Sequence, residues 1–359
     1  MVGIANREQR GASDLMLVIV VVIVMSLGGF LFLRLNESRE EAEREAGLLR
    51  TNPIVVHISV DGLRTDHINL VEMITTNILK EGGSSTLNAR TDPDFTNTLP
   101  NHSSQLTGRP VNGDVGHGVF FNGLEDTTLH ETSPDDYVAS VFDVVHDNGG
   151  STMLITEKDK FQIYENSWSK NGAADETGEN NGTDKIDEYL FMPDDGVREL
   201  TRFLANAEGP TYALFHIKAP DTEGHISTWG SNEYDEAVIE ADKIINRIKS
   251  ALEFNELMLR TTIIISADHG GPLEELTHND ATNPENFTVP LIINGPAATV
   301  GGDLYDLNSD DRREPGSEQF SAQGLQPIRT AEIANLALDI LGLPPVPGSY
   351  FNTAQDLDF

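Results

Sequence analysis

Three short motifs carry the acid and imidazole groups most able to act together. Asp61 follows the β-branched run 54–60 (IVVHISV), Asp221 and His225 follow 212–217 (YALFHI), and Asp268 and His269 follow 262–266 (TIIIS). Each alone reads as an ordinary turn, helix start or core histidine. Together they read differently, because the carboxyl ends of the strands in an open parallel sheet share one edge, and ligands bind in the crevice beside it. Oxygen and nitrogen ligands without sulfur suit Zn²⁺ in a partly open, catalytic geometry. The chain has no cysteine, so any metal must be held by Asp, Glu and His. The fourth feature is Thr98, within DPDFTNTLPNHSSQLTG (92–108). It reads as the N-cap of a short helix, with Pro100 in the first turn and Gly108 as the stop. A hydroxyl there faces free backbone N–H groups and the positive end of the helix dipole, a place that suits a phosphate or a nucleophile attacking one. Threonine needs a base or a metal to become that nucleophile.

The elements that must position these groups follow from periodicity. Strands are expected at 54–60, 151–156, 212–217, 262–266 and 289–293, and helices at 137–146, 197–207, 234–254 and 330–341. Strands alternating with helices predict one α/β domain with a mainly parallel sheet and helices on both faces. The polar, Gly/Asn-rich segment 165–187 reads as a long surface loop, and the acidic segment 301–318 as another. Residues 1–14 form a short polar tail. The uncharged apolar run 15–33 is about long enough to cross a bilayer, which predicts an anchor over 15–34 and a charged stalk over 35–52, ahead of a catalytic domain over 53–359.

With 359 residues and 38% hydrophobic composition, the chain can bury one large core or two ordinary ones. A formal charge of −34 argues against tight binding to a nucleic-acid backbone, and it means that cations at the site must offset repulsion of a phosphate substrate. Arginines are more numerous after the anchor than before it, a count that does not favour export of the carboxyl-terminal side.

DGLR at Asp61, NTLPNH around Thr98, His117-Gly118 followed by Asn122, PDTEGH at Asp221–His225 and SADHGG at Asp268–His269 occur in that order. This series resembles the type I phosphodiesterase/nucleotide pyrophosphatase branch of the alkaline phosphatase superfamily, over roughly residues 54–345. The resemblance implies a three-layer α/β/α sandwich and two zinc ions. One would be bound by Asp61, Asp268, His269 and the Thr98 hydroxyl, the other by Asp221, His225 and a third histidine. His278 occupies the interval before VPLIINGP where some members place that histidine, although Asn279 follows it where the family usually has glycine. It further implies that Asn122 and a backbone N–H near Thr98 bind a non-bridging oxygen, that hydrolysis of a phosphodiester or nucleotide pyrophosphate passes through phosphothreonine, and that the catalytic part is extracytoplasmic. His57, His102 and His216 are assigned to structure.

Two other readings compete. Lys158-Asp159-Lys160 resembles the Lys-Asp-Arg segment of some monoesterases in this superfamily, so a phosphomonoesterase with Lys158 and Lys160 on the substrate is the alternative; taken alone, Lys158 reads as a solvated loop charge. A non-catalytic module would be expected to have lost Thr98 or a ligand, and none is missing. The sulfatase pattern requires a modified Cys or Ser in a Cys/Ser-x-Pro-x-Arg setting, which TLPNH does not fit. The sequence leaves the oligomeric state open.

Overall fold

The β-branched runs become the centre of one eight-stranded sheet. In the computed structural model, residues 52–135, 137–173, 183–320 and 324–359 are described. The apolar run 15–33 and the charged stretch 36–49 lie outside them, and among the described residues no helix is long and apolar enough to cross a membrane.

The strands are β1 (Ile54–Val60), β2 (Ser84–Arg90), β3 (Ser151–Thr156), β4 (Glu188–Phe191), β5 (Thr211–Ile217), β6 (Thr261–Ser266), β7 (Thr288–Asn294) and β8 (Gly302–Asp303), in the order β4-β3-β5-β1-β6-β7-β2-β8. β1 is buried along its whole length and pairs in parallel with β5 on one side and β6 on the other. A strand covered on both faces has no polar side to alternate with, which is why IVVHISV runs nearly unbroken. β7 runs antiparallel to both of its neighbours, and the other pairings are parallel. The three strands whose ends carry metal-type ligands are therefore adjacent and point the same way.

The main helices are α1 (Ile74–Glu81), α2 (Thr98–Thr107), α3 (Val141–Asp147), α4 (Gly196–Asn206), α5 (Ala219–Ser227), α6 (Asn232–Phe254) and α7 (Ile333–Leu341). α1, α4 and α5 pack against α6, while α2 and α3 pack against α7, so the sheet has two separate helical groups. In α6, Val238, Ile245, Ile248 and Leu252 form the buried stripe, the spacing of one helix face.

Four expectations change. The helix expected over 137–146 begins only at Val141, because Ser140 caps it in a reciprocal pair with Asp143. The loop expected from 165 is helical through Lys170, and Lys185 and Ile186 near its end are buried; 174–182 lie outside the described residues. The segment 301–318 contains β8 and a helical turn at Leu304–Leu307. Finally, Thr98 is not the cap of α2. Asn97 holds that place with extended backbone, and Thr98 is the first helical residue, so its hydroxyl is not engaged in capping. Gly108 ends the helix in the left-handed conformation, as the sequence predicts.

Candidate functional site

Asp61 is the first residue beyond β1, and Gly62 follows it with φ +70°. A side chain at Gly62 would lie 2.9 Å from the Asp221 Cα and Cβ, so only glycine lets the ends of β1 and β5 approach this closely. The approach is held by backbone bonds: Asp221 N–H donates to the Asp61 carbonyl at 3.0 Å, and Gly62 N–H donates to Asp268 Oδ1 at 3.2 Å. The Gly62 carbonyl accepts from Tyr234 Oη at 2.8 Å. Arg64 then bonds the Gly271 carbonyl and Glu285, tying the DGLR turn to the loop after β6. Asp221 lies in the first turn of α5, with Pro220 before it, and His225 stands one helical turn later on the same face.

Three carboxylates and three imidazoles meet here. His269 Nε2 is 3.2 Å from Asp268 Oδ2, 3.4 Å from Asp61 Oδ1 and 3.7 Å from Asp221 Oδ1. Asp221 Oδ1 is also 3.3 Å from His225 Nε2 and 3.5 Å from His278 Nε2. Two buried triads, Asp61–Asp268–His269 and Asp221–His269–His278, have ligand atoms close enough for one ion each, and they share His269.

The protonation pattern fits a cation. His225, His269 and His278 donate their Nδ1 hydrogens to the carbonyls of Leu276, Gly270 and Thr96, at 2.7, 2.7 and 2.6 Å. With Nδ1 so engaged, each ring turns its Nε2 inward, the usual orientation of metal-binding histidine. The Nε2 atoms of His225 and His278 stand 3.3 Å apart. Asp61 Oδ1, Asp221 Oδ1, Asp268 Oδ2 and His269 Nε2 are buried without a hydrogen-bond partner. Orphaned buried acceptors are costly unless something satisfies them.

The cation present is Lys158, which sequence reasoning took alone as a solvated loop charge. Its side chain is 12% exposed, and Nζ lies 2.6 Å from both Asp61 Oδ2 and Asp221 Oδ2 and 3.4 Å from Thr98 Oγ1. The carboxyl end of β3 opens onto the same crevice as β1 and β5, which brings this lysine in. One ammonium does not serve three carboxylates equally. Burial raises the Asp61 pKa, but Lys158, His216 and His269 outweigh it and hold the group well below the ordinary range. Asp221 is likewise held down: burial and Asp61 push it up, and His225, Lys158 and His269 prevail. Asp268 is pushed up to about 7 by burial and by Asp61. His269 is driven down by burial but raised overall, to about 9, by Asp268, Asp61 and Asp221. His278 is lowered to about 3 by burial and His269.

Thr98, 1% exposed, stands at the start of α2 beside Lys158. Asn122 reaches the same helix end, its Oδ1 accepting from Leu99 N–H at 3.0 Å and from Lys160 Nζ at 3.0 Å. The backbone N–H next to Thr98, expected to face a phosphate oxygen, is thus bonded to Asn122. Eight of the ten sequence-predicted site residues are joined directly in one network by these contacts, and Asn122 with Lys160 reaches it through Leu99, the neighbour of Thr98. His225, with 43% of its side chain exposed, is its open side.

Two histidines assigned only to structure also touch it. His216 Nε2 donates to Asp61 Oδ2 at 2.9 Å. His102 Nδ1 donates to the Thr98 carbonyl at 2.9 Å and lies 3.5 Å from Asp268 Oδ2, while its Nε2 accepts from Ser59 Oγ at 2.8 Å. The signal for His216 was a polar residue near the end of an otherwise apolar strand, in register with Ser59 of β1. His57 bonds Tyr212 and Ser266 and stays a core residue.

Residues 55–287 match the sequence model of type I phosphodiesterase/nucleotide pyrophosphatase. No curated protein sequence matches the chain. Among similar solved structures is murine ectonucleotide pyrophosphatase/phosphodiesterase 5, at 14% identity and TM-score 0.57, covering 84% of this chain and 99% of that one. An inactive threonine-to-alanine variant of the murine protein, in complex with AMP, aligns at 14% identity and TM-score 0.53, covering 85% and 99%. A candidate sulfatase of Bacteroides fragilis aligns at 15% identity and TM-score 0.52, covering 85% and 78%. At these identities the likeness is one of fold.

Proposed function

The chain belongs to the type I phosphodiesterase/nucleotide pyrophosphatase family and is a hydrolase of phosphoric ester bonds; on that premise we propose that it cleaves a phosphodiester or nucleotide pyrophosphate through a covalent phosphothreonine at Thr98. The observation that carries this reading is the pair of orphaned, inward-facing ligand clusters beside a hydroxyl at a helix N-terminus. The AMP held by the inactive murine variant supports a nucleotide-like substrate.

Asp61, Asp268, His269 and the Thr98 hydroxyl would hold one divalent ion, and Asp221, His225 and His278 a second; the donor set of oxygen and nitrogen suits zinc. Bound there, such ions lower the pKa of a hydroxyl or water and offset the charge of the phosphoryl group. Thr98 Oγ1 gives up its proton to solvent and attacks phosphorus in line with the leaving oxygen, so that the Oγ–P bond forms as the P–O bond to the leaving group breaks. Water then attacks phosphorus, the Oγ–P bond breaks, and Thr98 recovers its proton. The Asn122 amide hydrogens stabilise a non-bridging oxygen as its charge grows. His216 and His102 hold Asp61 and the first turn of α2 in place.

A second reading, a phosphomonoesterase, is favoured by one specific observation, the Lys158 ammonium within reach of Thr98. A monoester carries one more negative charge than a diester and gains more from such a cation. Paired chromogenic diester and monoester substrates, assayed with added zinc, decide between the two by their kcat/KM ratio. Thr98→Ala should fold, keep most of its metal and lose turnover; near-wild-type rates in that variant refute the mechanism.

The apolar run 15–33 supports attachment to a membrane; the extracytoplasmic placement of the catalytic part rests on the family resemblance and goes against the arginine count. Protease added to intact cells should then release a soluble active fragment, and complete protection would point to the opposite face.

A further inference from the structure

Asn122 links three elements that are distant in sequence. Its side-chain oxygen accepts from Leu99 N–H, the second residue of α2, and from Lys160 Nζ, in the 3₁₀ turn Asp159–Phe161 that follows β3, both at 3.0 Å. The two ends of an amide have the same shape, but their partners here are donors only. A backbone N–H and an ammonium can both be satisfied by oxygen and by nothing else on that side chain, so the orientation is fixed by chemistry. Among the described residues the NH₂ end has no hydrogen-bond partner, so both its hydrogens are left for a ligand.

Resting on the proposed role of Asn122, we infer that Lys160 is a positioning residue that works through Asn122 and does not itself hold the phosphoryl group. Its ammonium locks the amide against rotation. It also draws electron density toward Oδ1, which makes the two N–H groups better donors to a charged oxygen. The division of labour between the lysines follows: Lys158 lies against the carboxylates and Thr98, whereas Lys160 is engaged by the amide. A lysine in direct contact with the substrate would discriminate between a dianion and a monoanion. One acting through a neutral amide should affect both substrates by the same factor.

A double-mutant cycle on the full-length, zinc-loaded protein tests this with the same diester and monoester substrates. Asn122→Ala should lower kcat about 100-fold, as loss of an oxyanion donor does. Lys160→Ala should lower kcat by about 10-fold on both substrates with KM little changed. In the Asn122→Ala background, removing Lys160 should change kcat less than about twofold. Lys160→Gln, which keeps a donor without the charge, should recover part of the loss, and this rescue separates positioning from misfolding. Equal losses in the two backgrounds, or a loss confined to the monoester, overturn the inference and put Lys160 on the substrate. Wild-type kcat in Asn122→Ala would overturn the inference together with the role given to Asn122, an outcome distinguishable from the others by that single variant.

Discussion

Replacing Lys158 by methionine should destabilise the metal-free protein and do much less to the metal-loaded one. Methionine keeps the unbranched stem and removes the charge that lies 2.6 Å from both Asp61 Oδ2 and Asp221 Oδ2. Removing one partner of a buried ion pair costs roughly 3–5 kcal/mol, because the remaining charge is left unpaired in a poorly solvated place. Here two carboxylates lose their cation, but protonation can relieve part of the strain, so the lower end, about 3 kcal/mol, is the better estimate. For a chain of this size that corresponds to a fall in Tm of about 4 °C. Thermal unfolding in excess chelator reads the difference directly. The deficit should widen from pH 6 to pH 8, as fewer protons are available to replace the lost ammonium. Saturating zinc should shrink it, since the ions would neutralise the same oxygens. Equal melting temperatures in chelator would refute the claim that Lys158 holds the carboxylates together.

Three further outcomes can be checked. His278→Ala and Asp268→Ala should each retain about one zinc per chain after dialysis, by elemental analysis, while His225→Ala should weaken the same ion as His278→Ala; two tightly held zincs in His278→Ala would mean that the sixth protein ligand lies elsewhere. Gly62→Ala combines a φ of +70° with a 2.9 Å approach to Asp221, and should destabilise the fold by roughly 2 kcal/mol or more while also lowering zinc affinity, measured by denaturant unfolding and metal titration. His57 is buried and its pKa falls to about 3. Below pH 6.5 the unfolded chain gains a proton that the folded chain refuses, so stability drops as pH falls from 6.5 toward 3, by about 1.4 kcal/mol per pH unit for this group. His57→Gln should remove that share of the slope in urea titrations.

Much of the architecture was legible because the decisive strands are buried on both faces and say so in β-branched runs. The limits of β1 and β3 coincide with the expected ones, and β5 and β6 differ by a residue. β2 (SSTLNAR) was missed, since its polar residues and the break in register between Thr86 and Ala89 dilute any alternation. At the site, strand-end acids were readable because topology alone brings them to one edge. The burial of Lys158, the bond from His216 to Asp61 and the contact of Lys160 with Asn122 were not. Each depends on where a loop returns after a strand, and no local pattern encodes that. Thr98 shows the same limit on a smaller scale: composition placed it at the helix start, but only the backbone at Asn97 decided which residue does the capping.

The packing of Gly62 against Asp221 has an evolutionary consequence. The distance between the first and second ligand clusters is set by main-chain contact, with a hydrogen bond across it, and leaves no side chain that substitution could lengthen or shorten. The two halves of the site are therefore geared together: a shift that tightens one cluster is transmitted to the other within a single peptide unit. Descendants of this chain can alter which phosphoester they accept by changing the rim, where His225 is open and Lys160 meets Asn122. They cannot retune one cluster alone without rebuilding the close approach at the ends of the paired strands β1 and β5.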